Sequence, residues 1–130
     1  MIKKRRYSGV NIQFPISQLI LSREKVVETR TYPIPEKFVD TEVLLIETPG
    51  RNGRFKARAV AILIFGPSFQ YDSEAAFYSD FKRHLVDRMS PWKWNKGKPK
   101  FGWPIKSVSL LEKAVLVRQT GIRYRSGILI

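Results

Sequence analysis

Residues 21–30, with the sequence LSREKVVETR, place Lys25, Glu28 and Arg30 where an apolar helical pattern changes into a strand pattern. Turn-forming residues usually occupy such junctions, so three charges at this point need a physical explanation. In an extended strand alternate side chains share a face, which puts Glu28 and Arg30 together. Lys25 joins them only if the turn before the strand redirects it. The stretch predicts a polar ligand site, a local ion pair or a solvated surface cluster.

This spacing resembles the signature of the ASCH domain family, a branch of the PUA-like superfamily, which reads G-x-K-x-x-E-x-R after a first helix. Lys25, Glu28 and Arg30 fall on its K, E and R. Arg23 stands in the place of the signature glycine. Because arginine tolerates a positive φ poorly, we expect no tight left-handed turn at this residue. The resemblance extends over nearly the whole chain from Tyr7 onward.

The apolar pattern along the chain predicts two helices and several strands. Pro15 suits the first turn of one helix and Ser73 the N-cap of the other. Together these elements fit an α+β fold, a small mixed β-barrel with two short helices. The resemblance implies the same PUA-like barrel, formed by residues 7–130 as a single domain after a basic N-terminal arm at residues 1–6. Strands are expected at residues 7–13, 26–32, 42–48, 55–65, 108–111, 114–118 and 128–130.

Composition limits the chemistry that the chain can perform. It has 130 residues and no cysteine, which excludes disulfides and thiolate metal sites. Its one histidine, His84, cannot build a zinc site alone. His84 follows Asp80 by one helical turn, a spacing that suits either a surface pair or a catalytic dyad. The longest apolar stretch, residues 59–66, is far below the ~20 residues that span a bilayer. We therefore expect a cytoplasmic protein without metal, cofactor or membrane partner.

Positive charge is concentrated at the two ends of the chain. The net charge is +13; residues 1–23 hold five basic and no acidic side chains, and residues 88–130 hold ten basic ones and a single acid. The middle of the chain is almost balanced. Such asymmetry predicts a polyanionic partner, and we expect RNA. The alternatives to RNA are an anionic membrane surface and a charge that serves only solubility. The sequence does not determine the oligomeric state.

Residues 91–104, PWKWNKGKPKFGWP, combine all three tryptophans with four lysines and no acid. Aromatic faces stack on unpaired bases, worth about 1–3 kcal/mol each, while lysines follow the phosphates. Alternatively, the tryptophans are core anchors and only the lysines are exposed. Trp103 is expected to pack against the barrel or to line the motif pocket. The residues predicted to bind nucleic acid or ligand are Lys25, Glu28, Arg30, Trp92, Lys93, Trp94, Lys96, Lys98, Lys100 and Trp103.

The function classes that remain share the same three charged residues. Some ASCH-like proteins are hydrolases acting on modified cytidines or on RNA. By that resemblance Lys25 activates or orients a nucleophile, Glu28 acts as general acid or base, and Arg30 holds an oxygen. The same residues also suit recognition of a base and phosphate, or a structural ion pair. We predict a domain that binds single-stranded RNA through a pocket at the barrel mouth. A small amidohydrolase or ribonuclease is the alternative, and a protein-interaction module a third class.

Overall fold

Seven strands form one mixed sheet that curls into a half-barrel in the computed structural model, which describes residues 5–51, 53–117 and 124–129. No helix within these ranges is long and apolar enough to cross a membrane. The strands are β1 (Arg6–Gln13), β2 (Val27–Arg30), β3 (Glu42–Thr48), β4 (Arg58–Phe65), β5 (Phe69–Gln70), β6 (Phe101–Leu116) and β7 (Tyr124–Leu129). The helices are α1 (Ile16–Leu21), α2 (Glu74–Ser79) and α3 (Phe81–His84), with a 3₁₀ turn at Glu36–Phe38. The predicted α+β mixed-barrel fold class is confirmed.

The strand order, β2-β6-β4-β3-β1-β7 with β5 beside β6, puts the apolar strands β3 and β4 at the centre. Only the pairing of β1 with β3 is parallel among the described strands. β3 is buried on both faces: Val43 and Leu45 join the main core, and Leu44 and Ile46 join a second cluster on the other side. The two edges of this path, β2 and β7, leave one side of the half-barrel open.

Strand β6 differs most from the sequence prediction. It starts at Phe101 and runs to Leu116, so it includes the end of the tryptophan- and lysine-rich segment at residues 91–104, where no strand was predicted. It also merges the two strands expected at residues 108–111 and 114–118. At Gly102, within this strand, a Cβ would lie only 2.5 Å from the nearest atom of the Phe69 ring. The glycine therefore allows close packing of β5 on β6. Residues 118 and 130, the ends of two predicted strands, lie outside the described residues.

The predicted second helix is present but is split in two. Ser73 caps α2 as predicted, its Oγ accepting the Ala76 N–H at 3.0 Å. The helix breaks at Asp80, and α3 ends at His84 with Leu85 as its C-cap, whose φ of 59° is left-handed. This bend turns the backbone at the end of α3 toward the start of β2, where the Val26 N–H donates to the Arg83 carbonyl at 2.9 Å. This hydrogen bond joins α3 to the start of β2, the strand that carries Glu28 and Arg30.

The last residues of the predicted basic arm take part in the domain. Arg5 pairs with Glu42 at 2.8 Å on the surface, and Arg6 begins β1. Residues 1–4 lie outside the described residues.

A buried carboxylate fixes α1 to the sheet. Glu47, fully buried on β3, accepts hydrogen bonds from Ser17 Oγ and Gln18 Nε2, each at 2.6 Å. Arg58 on β4 adds two more, from Nε at 3.0 Å and Nη2 at 2.9 Å. A buried carboxylate is tolerated when its charge is paired and its oxygens are satisfied, and both conditions hold here. The helix that precedes the motif is therefore held in place by polar contacts as well as by its apolar stripe.

Replacing Glu47 by alanine is expected to lower the free energy of unfolding by on the order of 3 kcal/mol, because it leaves Ser17, Gln18 and Arg58 without their acceptor. Urea denaturation measures this change. The matched control is Glu42→Ala on the same strand, whose exposed pair with Arg5 is worth less than about 1 kcal/mol. Equal losses in the two variants would contradict the anchoring role of Glu47.

Candidate functional site

The turn before the motif strand is left-handed, contrary to the expectation from Arg23. Arg23 has a φ of 70°, the conformation that the signature glycine would favour. Two hydrogen bonds of 3.0 Å compensate the strain: the Arg23 N–H donates to the Ile20 carbonyl, and the Lys25 N–H to the Leu19 carbonyl. They satisfy carbonyls that the end of α1 would otherwise leave unpaired, as in glycine-capped helices. The prediction of no left-handed turn was wrong because the capping bonds outweigh a cost of about 1–2 kcal/mol.

This turn redirects Lys25 toward the motif carboxylate. Lys25 is only 3% exposed, and its Nζ lies 3.8 Å from Glu28 Oε1 and donates to the His84 carbonyl. Glu28 is also buried. The turn therefore brings Lys25 to the side of Glu28, as the sequence analysis required for the three charges to lie together.

Arg30 connects Glu28 to the opposite strand. Its Nε donates to Glu28 Oε2 at 3.1 Å, its Nη1 to the Tyr32 hydroxyl at 3.0 Å, and its Nη2 to the Asn11 carbonyl at 2.7 Å. Asn11 belongs to β1, which does not pair with β2 in the described sheet. The guanidinium also lies 5.4 Å from the centre of the Trp103 ring, within cation–π distance. Arg30 thus bridges the open side of the half-barrel.

A cleft of about 830 Å³ lies on this open side, and we call it the motif cleft. Lys25, Glu28 and Arg30 all line it. Its size suits a ligand such as a nucleotide, and its walls supply several side-chain donors and acceptors. The described part of the chain holds no group of three or more His, Asp or Glu side chains fit to bind a metal ion. Other residues that line the cleft are Asn11, Ile12, Gln13, Ile16, Thr29, Thr31, Tyr32, Thr48, Pro49, Gly50, Val86, Trp92 and Lys100.

Trp103 lies beneath the cleft. It is fully buried, packs edge-on against Phe65 with 5.5 Å between ring centres, and donates from Nε1 to the Tyr32 carbonyl at 3.1 Å. Of the two positions expected for it, the structure gives packing against the barrel. Its contribution to the site is the aromatic floor on which Arg30 rests.

The two remaining tryptophans have different surroundings. Trp92 is 45% exposed and lines the motif cleft. Trp94 is half-buried against Phe77, with ring centres 5.8 Å apart, and its backbone N–H donates to the Tyr78 hydroxyl at 3.2 Å. Trp92 therefore offers a free stacking face, while Trp94 anchors the loop to α2.

The four loop lysines also separate into two groups. Lys93, Lys96 and Lys98 are exposed on the loop and do not line the cleft. Lys100, which the sequence placed with them, is buried, lines the cleft and donates from Nζ to the Trp92 carbonyl at 2.8 Å. Its position differs because the next residue already begins β6, which fixes its direction.

Burial makes the two lysine charges in the cleft costly. Burial, reinforced by the charge of Arg30 and opposed by Glu28, lowers the pKa of Lys25. Burial likewise lowers the pKa of Lys100, with Glu28 opposing and Lys25 reinforcing the shift. Burial also opposes the charge of Arg30, but Glu28 and Tyr32 outweigh it and raise its pKa. The cleft therefore combines the Glu28–Arg30 ion pair with two ammonium groups whose charge burial disfavours.

His84 is a supporting residue that no motif in the sequence indicated. Its ring is fully buried and stacks on Phe77, with ring centres 4.2 Å apart. Nδ1 accepts the Val86 N–H at 2.9 Å and Nε2 lies 2.6 Å from the Phe77 carbonyl, so the proton belongs on Nε2 of a neutral ring. Burial lowers its pKa, which favours that neutral form. The ring thereby fixes the backbone whose carbonyl receives Lys25.

Neither arrangement expected for Asp80 and His84 is present. The Asp80 carboxylate accepts from the Tyr71 hydroxyl at 2.5 Å and from Arg83 Nε at 2.6 Å, while the imidazole is directed into the core. The spacing of one helical turn was misleading because the helix breaks at Asp80.

Replacing Lys25 by methionine is expected to raise the free energy of unfolding at pH 7, because the variant keeps the packing and removes a buried charge. The folded-state pKa of Lys25 lies below its ordinary 10.5. Between these two values the unfolded chain binds more protons, so wild-type stability rises with pH in that window. The advantage of the variant should therefore shrink as the pH approaches 10.5. Urea denaturation at several pH values measures the difference.

The control for this prediction is Lys98→Met, which changes an exposed lysine and should leave the free energy of unfolding nearly constant. A loss of stability in Lys25→Met that is the same at every pH would identify Lys25 as a structural residue instead.

Comparison with solved structures identifies the fold. The chain resembles two crystal structures of mutant ZmASCH proteins from Zymomonas mobilis. The serine-to-alanine mutant matches with a TM-score of 0.70, and the match covers 96% of this chain and 90% of that chain. The tyrosine-to-phenylalanine mutant matches with a TM-score of 0.64, and the match covers 87% of this chain and 77% of that chain. Sequence identity is 11% in both cases. No protein-family model and no curated protein matches the sequence. The chain thus has the ASCH fold that its motif led us to expect.

Proposed function

We propose that this protein binds single-stranded RNA, with one unpaired nucleotide in the motif cleft and the adjoining strand along the loop at residues 91–98. The observation that carries this proposal is the charge of the cleft. Among the described residues that line it, three cations, Lys25, Arg30 and Lys100, accompany a single carboxylate, Glu28. An electron-rich or anionic ligand is favoured by such an excess of positive charge.

The cleft supplies both kinds of contact that a nucleotide requires. Glu28 is held by Arg30 through Oε2, while Oε1 remains 3.8 Å from Lys25 and is the oxygen suited to accept from a base amino group. Lys25 donates to oxygens of the ligand. Arg30 donates to three acceptors within the protein, so its main contribution is to orient Glu28 and to add positive charge to the cleft.

The loop extends this surface beyond the cleft. The exposed face of Trp92 borders the cleft and is available to stack on a neighbouring base. Lys93, Lys96 and Lys98 are exposed on the same loop, where they can neutralise successive phosphates. Stacking on Trp92 requires an unpaired base, so it favours single strands over duplexes.

The triple change of Lys93, Lys96 and Lys98 to alanine is expected to reduce the slope of log affinity against log salt by about 2, since each phosphate contact on a single strand contributes about 0.7. Trp92→Ala should instead weaken binding by about 1–3 kcal/mol with little change in slope, because it removes stacking and no charge. Fluorescence anisotropy with a short single-stranded RNA at several salt concentrations separates the two effects.

Lys37→Ala is the control, since this exposed lysine lies on the 3₁₀ turn and does not line the cleft. The proposal would be refuted if heparin bound as tightly as RNA and Trp92→Ala left the affinity unchanged. The interaction would then be unspecific attraction between charges.

A hydrolase that acts on modified cytidine or on RNA is the second candidate. It is favoured by the lowered pKa of Lys25, which brings a buried amine closer to the range of a general base, beside the carboxylate of Glu28. For an enzyme, Lys25→Met should abolish hydrolysis of an amide-modified cytidine, or cleavage of RNA, and should reduce turnover far more than it weakens ligand binding. If the wild-type protein shows neither activity, the hydrolase is refuted and RNA binding without catalysis is the function that remains.

A further inference from the structure

We infer that Lys25 and Lys100 form a subsite for a phosphate monoester inside the motif cleft, so that the nucleotide bound there carries a terminal phosphate. This inference deepens the proposed function, because it specifies which part of an RNA enters the cleft. The first observation that supports it is burial: Lys25 is 3% and Lys100 is 6% exposed, yet both line the cleft. Lysines are almost never buried to this degree unless they are paired.

Each of these two ammonium groups uses only some of its N–H donors within the protein. An ammonium group has three N–H donors. Lys25 donates to the His84 carbonyl and Lys100 to the Trp92 carbonyl, both neutral acceptors. The nearby Glu28 is held by two contacts from Arg30 and stands 3.8 Å from Lys25, beyond hydrogen-bond distance. Each lysine therefore retains at least one donor for a ligand.

The charge balance indicates a ligand with two negative charges. Lys25, Arg30 and Lys100 together exceed the one carboxylate, Glu28, by two positive charges among the described residues that line the cleft. Glu28 and Lys25 both influence the pKa of Lys100, in addition to the larger effect of burial, so these charges lie within electrostatic range of one another. A phosphate monoester carries about −1.5 to −2 at pH 7, whereas an internal phosphodiester carries only one charge. The monoester matches the excess.

Hydroxyl and amide side chains on the cleft walls complete the description of such a subsite. Thr29, Thr31 and Thr48 line the same space and can donate to phosphate oxygens, as can Gln13. A volume of about 830 Å³ accommodates the sugar and base together with the phosphate. The terminal phosphate is supplied by the 5′ end of an RNA, by its 3′ end, or by a free mononucleotide, which share the same chemistry.

The test compares one short RNA in three forms, with a 5′-phosphate, with a 3′-phosphate and with hydroxyls at both ends, against nucleoside monophosphate and inorganic phosphate. One phosphorylated form should bind at least about tenfold more tightly than the hydroxyl form, since hydrogen bonds to charged groups exceed 1.4 kcal/mol. Lys100→Met should remove this preference, so the phosphorylated form should lose at least about tenfold more affinity than the hydroxyl form. Lys98→Met, on the same loop, should weaken all three forms alike and preserve the ratio.

A measurement on the wild-type protein keeps the inference testable if Lys100→Met fails to fold. Titration with inorganic phosphate should shift the NMR signals of the Lys25 and Lys100 Cε groups and leave that of Lys98 unchanged. Equal binding of all three RNA forms, with Trp92→Ala still weakening each, would overturn the phosphate subsite and leave RNA binding intact. Binding of nucleoside monophosphate through Lys100, without binding of any RNA form, would support the subsite and refute the proposed function.

Discussion

The Arg30 guanidinium is the contact on which the motif cleft depends. It joins β2 to the Asn11 carbonyl on β1, across the side of the half-barrel that no strand pairing closes in the described sheet. A guanidinium this close to the core needs acceptors, and Glu28, the Tyr32 hydroxyl and the Trp103 ring surround it. Without Arg30, Glu28 would lose its closest charge partner, and the two walls of the cleft would lose their connection.

Two buried carboxylates show how the same residue type serves structure in one place and lines a candidate site in another. Glu47 accepts from a hydroxyl, an amide and Arg58 and does not line the motif cleft, so its hydrogen-bonding capacity is used within the protein. Glu28 faces a cleft together with Lys25 and Lys100, whose charges burial disfavours. Proteins retain such unfavourable groups where function needs them, at a cost in stability. The excess of buried positive charge therefore distinguishes the site from the structural network.

The sequence predicted what depends on local spacing. Strand alternation placed Glu28 and Arg30 together, and apolar patterns located most strands. It failed where distant residues decide the outcome. No strand was predicted at residues 101–104, but the Phe69 ring packs on Gly102 within β6. Arg23 argued against a left-handed turn, yet hydrogen bonds to the end of α1 impose one. The burial of Lys100 and the role of His84 arise from contacts between segments far apart in the chain, which no local pattern encodes.

Lys100 also connects the buried part of the site to its exposed part. Its Nζ donates to the carbonyl of Trp92, the residue that offers a stacking face at the rim of the cleft. A ligand that attracts the Lys100 ammonium therefore acts on the same group that holds the Trp92 backbone. Trp94, packed on Phe77, keeps the other part of the loop attached to α2. This one hydrogen bond couples the buried charge to the position of the Trp92 ring, so under the proposed function the cleft and the loop would bind one ligand together.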